Sequence, residues 1–366
     1  MKKRFKSVLV FLVFLSALIF MFTNPDCITY HSLSALKMCA ATVIPSLFMF
    51  IVFSEIIAGM TKHAYCSKGV LSYLEKFLRL DIRLIIQCAF GMLAGAGAAS
   101  VGIAKIYKSG LVTKKQAENA TILLSGCSAP FIMTVCSVFL ESAKLAFLLL
   151  LSNFLAVFTS FFILCDRHEN FTSSQHVIFE KKASVLSIFS SSLSNSVINT
   201  LNMCSYIIFF SVISGAMSDT LINLSVIHNK SAAAVIYGFF EMTGGIVRSM
   251  SLAGNERIMF ICAVVGFSGI SIIFQLSHIL GMHNISIKPY IYSRLLCTLL
   301  CPLYMLVFML TLPYSVTCFS QGSIVFTGFD FDLQNLLSCV VICISITITV
   351  AVFVIINKKH KKNEQN

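Results

Sequence analysis

Three short runs hold the residues of this chain best suited to binding something polar. Ser125, Gly126, Cys127, Ser128 and Pro130 interrupt one apolar stretch, and Ser268, Gly269 and Ser271 interrupt another, with Gln275 further along it. Glu241, Thr243, Gly244 and Gly245 stand together in a third. Proline removes a backbone donor and glycine admits unusual backbone angles, so a helix through these runs is expected to break. A broken helix presents unpaired amides that suit an anionic group and unpaired carbonyls that suit a cation. Serine hydroxyls and the Gln275 amide add hydrogen-bonding partners. An ionisable group at mid-bilayer costs about 3 kcal/mol, which makes Glu241 a candidate to bind a proton or cation, or to hydrogen-bond a substrate. Structural alternatives stand beside these: a proline kink at Pro130 repaired by neighbouring helices, and Glu241 as an interfacial loop carboxylate. Glu55 lies near the end of its apolar segment, where snorkelling to the interface explains it equally well.

The elements that position these residues follow from composition. Hydrophobic residues make up 57% of the 366 and charged residues 11%, which excludes a water-soluble globule and defines an all-α polytopic membrane protein. The net charge of +12 sits in short loops and tails, as topology signals do, rather than on a nucleic-acid-binding face. With no Trp, Tyr and Lys/Arg are expected to anchor the helix ends. The fourteen Cys lie almost entirely within apolar runs and form no C-x-x-C pair. Cys297/Cys301 and Cys339/Cys343 recur at i,i+4 without His or carboxylates beside them, so small buried hydrophobes are expected, and neither a metal nor a cofactor. Phosphate-loop, zincin and nucleophile-elbow motifs are all absent, and no loop would house a nucleotide-binding domain, so an enzyme is not expected.

Apolar segments near 5–22, 38–60, 84–105, 119–140, 145–165, 201–217, 232–250, 258–280, 294–312 and 335–356 approach the roughly 20 residues that a span needs. Loop charge forbids all ten from crossing. Lys62, Lys68, Lys76, Arg79 and Arg83 before segment 84–105, and Lys105, Lys108, Lys114 and Lys115 after it, place both flanks in the cytoplasm. That segment is therefore a re-entrant hairpin turning at Gly91, Gly95 and Gly97. Treating 232–250 as a second hairpin, entered from outside, closes the count at about eight transmembrane helices plus two re-entrant hairpins with both termini cytoplasmic. Arg167, Lys181, Lys182, Lys288, Arg294 and the tail 358–362 then fall inside, and the loop with Asp330 and Asp332 outside. The basic start and apolar run of 7–22 form an uncleaved first span, there being no small-x-small site before Asn24. Stretches 70–79 and 184–202 are amphipathic and are expected to lie at the interface.

A duplicated string supports the same layout. FIVFSEIIAGM at 50–60 is matched by IIFFSVISGAM at 207–217, and each leads into a Gly-rich hairpin and then a broken segment. With the charge-derived topology the two copies face opposite ways, as in inverted-repeat transporters. The expected parts are an N-terminal anchor and outer loop (1–37), a first repeat (38–165), a cytoplasmic loop and amphipathic helix (166–200), a second repeat (201–312), and an outer loop, last helix and basic tail (313–366).

IPSLFMFIVFSEII (44–57), IYKSGLVTKKQAENATILLSGCSAPFI (106–132), YGFFEMTGGI (237–246) and GFSGISIIFQLSHIL (266–280), followed by Tyr292-Ser293-Arg294-Leu295-Leu296, resemble the nucleoside-recognition, or gate-domain, superfamily. Within it the chain is most similar to the sporulation integral membrane proteins, whose members include the stage V sporulation dipicolinate transporter. The likeness runs from about 38 to 312. It departs at the first hairpin, where Gly95-Ala96-Gly97-Ala98-Ala99 stands for a Gly-Tyr-Pro-x-Gly pattern. The resemblance implies a transporter of a small organic anion, dipicolinate, acting from the mother-cell cytoplasm across the outer forespore membrane, with no nucleic acid involved. A nucleoside or other small-metabolite carrier, and a non-transporting scaffold for spore cortex or envelope assembly, are the alternatives. A coupling proton or cation is left open.

Overall fold

The computed structural model describes residues 2–61, 70–165, 184–227 and 230–312. The expected outer loop after 312, last span 335–356 and basic tail lie outside the described residues, as do Lys62, Lys68, Arg167, Lys181 and Lys182. All described regular structure is helical. Among the described residues four helices are long and apolar enough to cross a membrane, and a fifth span results if the pair Pro25–Val43 and Leu47–Phe53, bent by 55°, is counted as one.

Helix α1 (Lys2–Thr23) leads into α2 (Pro25–Met38), which passes through a π turn at Cys39–Val43 into α3 (Ile44–Thr61). Residues 25–37 were expected as an outer loop. They form a helix because Pro25 sits in its first turn, where its missing N–H has no intrahelical partner to lose. A surface helix α4 (Val70–Leu78) precedes α5 (Ile82–Ala94), which Asp81 caps by accepting from the Arg83 amide at 2.9 Å. The chain breaks at Gly95, φ 91°, and reverses into α6 (Ala96–Lys108). Gly91 faces Ala99, where a Cβ on the glycine would lie 2.6 Å from the alanine's, and Gly102 faces Gln87. This register makes α5 and α6 an antiparallel hairpin. The turn is at Gly95 alone: Gly91 belongs to the packing seam and Gly97 to α6.

Next come α7 (Lys114–Ile122), an irregular segment 123–128, α8 (Ala129–Phe139, widened by a π turn) and the uninterrupted α9 (Ala143–Leu164). The second half opens with α10 (Val185–Asn223), a single helix of 39 residues. The interfacial helix and the span expected on either side of residue 200 are one element, because nothing between Ser196 and Ser205 stops a helix and Ser196, Thr200 and Ser205 return their hydroxyls to carbonyls one turn back. Then follow α11 (Lys230–Phe240), α12 (Met242–Arg248), α13 (Gly254–Phe267), α14 (Gly269–Gly281) and α15 (Lys288–Thr311). Gly245 packs on Gly238, a Cβ at 245 falling 2.4 Å from the Gly238 Cα, so α11 and α12 form a second antiparallel hairpin. Ser268 and Gly269, at φ 76° and 80°, break α13 from α14.

The order helix, hairpin, broken helix, helix thus occurs in each half. By the course of the chain, residues 118 and 141 lie at opposite ends of α7–α8, and 257 and 286 at opposite ends of α13–α14. The Glu118 carboxylate accepts from the Ser286 amide at 3.2 Å, and Arg257 donates to Glu141 at 2.8 Å, which fixes the two ends of the bundle. The first hairpin joins α7 at the Glu118 end and the second joins α13 at the Arg257 end, so they enter from opposite sides.

Large apolar side chains cover the outside of the bundle, and its mainly apolar interior also encloses polar groups. Leu299, Leu310, Phe11 and Phe53 are exposed while Asn153, Ser160, Ser268, Ser293 and Arg294 are fully enclosed. An apolar outer face suits lipid, and most of the enclosed polar groups are hydrogen-bonded within the bundle, with Asn153 Oδ1 and Arg294 Nε and Nη1 the exceptions among those named.

Candidate functional site

Both hairpin tips, the first helix break and helix α14 beyond the second break converge on one cavity of about 210 Å³. The first hairpin brings Gly95 and Gly97, the first break Gly126, Cys127 and Ser128, the second hairpin Glu241 and Thr243, and α14 brings Ser271 and Gln275. The two breaks touch: a Cβ on Gly126 would lie 1.9 Å from the Ser268 Oγ, so only glycine lets the segments meet. Gly97 lies against the Gln275 amide, whose nitrogen would be 2.8 Å from an added Cβ.

Not every expected site residue reaches this space. Ser125 is turned behind the break, where its hydroxyl donates to the Cys127 carbonyl at 2.7 Å and accepts from Asn153 Nδ2 at 2.8 Å. Pro130 is buried in the first turn of α8. Gly244 and Gly245 pack on Tyr237 and Gly238, and Ser268 and Gly269 form the contacts between break and hairpin. These residues shape the backbone and do not line the cavity.

Glu241 ends α11 and caps α12. Its carboxylate accepts from the Thr243 amide at 2.8 Å and from the Gly244 amide, and the residue is 2% exposed. The helix N-terminus therefore meets this carboxylate, which stands at a helix start. The N-termini of α6 and α14 are different: neither has a side-chain cap. Of the two, the start of α6 lines the cavity, with Gly95, Ala96, Gly97 and Ala98.

Behind the first break lies a second polar layer. Ser293 donates to the Ile122 carbonyl at 3.0 Å, satisfying a group that the break frees, and accepts from Arg294 Nη2 at 3.0 Å. Arg294 is fully buried, and its Nε and Nη1 have no hydrogen-bond partner. Its positive charge sits at the C-terminal end of α7, where the helix dipole favours a cation. Among the described residues, no Lys or Arg lines the cavity itself.

Sequence reasoning missed the wall contributed by α10: Asn199, Asn202 and Tyr206 face the cavity, as does His278 of α14. Their spacing, three and four residues apart, puts the first three on one helix face. Asn199 also donates to Glu55 at 3.1 Å, which ties α3 to α10 and accounts for that carboxylate. Cys27 and His31, one turn apart on α2, were passed over as well, though they meet Asp219 of α10.

A bundle of long apolar helices with an enclosed polar centre and broken helices is an integral membrane protein of the type that carries its polar groups inside. The chain is 24% identical over 326 residues to the sporulation integral membrane protein YlbJ of Bacillus subtilis (strain 168), the alignment covering 78% of each. No family profile matches the chain, and no solved structure matches it.

Proposed function

We propose that the chain is a secondary transporter of a small organic anion, built as an inverted repeat of two halves. One observation carries this reading: two hairpins entering from opposite ends and two broken helices meet around one cavity. Broken helices bring backbone groups to the middle of a membrane only where protein or a cavity satisfies them. Movement of one half against the other would expose the cavity to each side in turn. The uncapped N-terminus of α6, with Gln275 and His278, would receive carboxylate groups, and Glu241 would carry a coupling proton or cation. Eight spans and cytoplasmic termini complete the proposed topology.

The likeness to a sporulation protein supports a role in spore formation. With the family resemblance it makes dipicolinate the first substrate to test, moved from mother cell toward forespore across the outer forespore membrane. A neutral solute such as a nucleoside is the second reading, favoured by the absence of any lining Lys or Arg and by the amides of Asn199 and Asn202.

Uptake into liposomes holding the purified protein, with dipicolinate and uridine in parallel and protein-free liposomes as control, tests both. Saturable dipicolinate uptake supports the anion carrier, and uridine uptake alone supports the second reading. Folded protein that moves neither under proton or sodium gradients counts against transport and for a scaffold in cortex or envelope assembly.

A further inference from the structure

Away from the cavity, three side chains of different chemistry converge where α2 meets the end of α10. Cys27 Sγ lies 3.5 Å and His31 Nε2 2.8 Å from Oδ2 of Asp219, and the three donor atoms all fall within 4.8 Å of one another. Cys27 and His31 share a helix face at i,i+4, so a single rigid element sets their separation. His31 is 4% exposed and its ring is seated on Gly215, where a Cβ would come within 2.4 Å of the imidazole. The Asp219 side chain is 47% exposed, leaving a path to solvent.

We propose that Cys27, His31 and Asp219 bind a divalent cation of the zinc class. A thiolate, an imidazole and a carboxylate are the donors such ions select, and three protein ligands leave a fourth position for water. Tetrahedral bonds of about 2.0–2.3 Å place donor atoms about 3.3–3.7 Å apart. The sulfur–oxygen distance already fits, and the other separations need shifts of about 1 Å or less. The charges close as well: thiolate and carboxylate balance the dication, and the thiol proton leaves to water when the metal–sulfur bond forms.

The next layer outward matches. Tyr237 Oη is 3.1 Å from His31 Nδ1, so metal on Nε2 would leave the Nδ1 proton to donate to the phenol. Tyr237 is itself covered by Arg248, whose guanidinium carbon is 3.2 Å from the ring centroid. Both belong to the second hairpin, Tyr237 one turn before Glu241. An ion here would tie α2 to α10 and, through the imidazole, to that hairpin.

The test uses the full chain purified in detergent. After equilibrium dialysis against zinc chloride, the protein is expected to retain one zinc per chain. Cys27→Ser and Asp219→Asn are expected to abolish retention, and Tyr237→Phe to weaken binding about tenfold. Cobalt chloride gives an independent readout on the unmutated protein, a thiolate-to-cobalt charge-transfer band, which Cys27→Ser should remove while the variant still elutes as the parent does. Absence of stoichiometric zinc, or zinc and a cobalt band that persist in Cys27→Ser, would overturn the assignment.

Discussion

Glu241 holds two duties with one carboxylate: it caps α12 and faces the cavity. Replacing it with Ala leaves two amides without their acceptor, and a loss of about 1–2 kcal/mol is expected in thermal unfolding. Glu241→Gln keeps one acceptor oxygen and removes the charge, so it should retain most of the stability. If the group carries a coupling ion, it should abolish gradient-driven uptake while leaving exchange of substrate across the liposome membrane measurable. The contact between the two breaks gives a sharper test. Gly126→Ala drives a methyl into Ser268 and should lower both stability and uptake. Adding Ser268→Gly removes the clashing atoms and relieves a left-handed backbone strain of roughly 1 kcal/mol, so the double variant should recover most of what the single one loses. Failure of that rescue would mean the breaks do not meet in the functional protein.

Among the elements, both hairpins depend on glycine in their seams, against backbone in the second and against side chains in the first. At Gly245 an added Cβ meets the Gly238 backbone and no side chain can swing aside, so Gly245→Ala should destabilise by about 2 kcal/mol. Gly91→Ala clashes with the methyl of Ala99 while Leu124 Cδ2 stays at 3.4 Å, and adding Ala99→Gly should restore it. Thermal unfolding of Gly245→Ala, Gly91→Ala and the Gly91→Ala/Ala99→Gly pair distinguishes the two seams. The hairpins and breaks were legible in the chain because Gly95, Glu241, Gly126 and Ser268-Gly269 each interrupt an apolar run with a residue that a spanning helix disfavours. The continuity of α10 was not, because its Ser- and Asn-rich first turns read as a surface helix while a long helix needs only the absence of a breaker. Helix α2 was hidden for the converse reason: Pro25 and Asp26 signal a turn and a helix start alike. The wall of Asn199, Asn202 and Tyr206, and the layer of Asn153, Ser293 and Arg294, depend on which helices face one another, and no local pattern records that.

At the scale of the whole molecule, loop charge is expected to orient the bundle. The loop between α6 and α7 lies at the Glu118 end, with Lys108, Lys114 and Lys115, and the end of α10 lies with Asp219 at the other. Impermeant maleimide on intact cells should label Ser225→Cys above the parent's background, and should label Ser109→Cys only after the membrane is opened. The reverse pattern would invert the topology and the direction of entry for each hairpin.

Helix α10 has one more consequence. Its 39 residues extend about 58 Å, against about 30 Å of hydrocarbon. Such an excess is accommodated by tilt or by protrusion, and Leu186, Phe189 and Val197, exposed along its first half, make that choice sensitive to the lipid. Since Asn199, Asn202 and Tyr206 ride on the same rod, bilayer thickness becomes an input to the shape of the cavity. Uptake measured across liposomes of graded acyl-chain length should pass through an optimum, so the membrane acts as a tuning element and not only as a solvent.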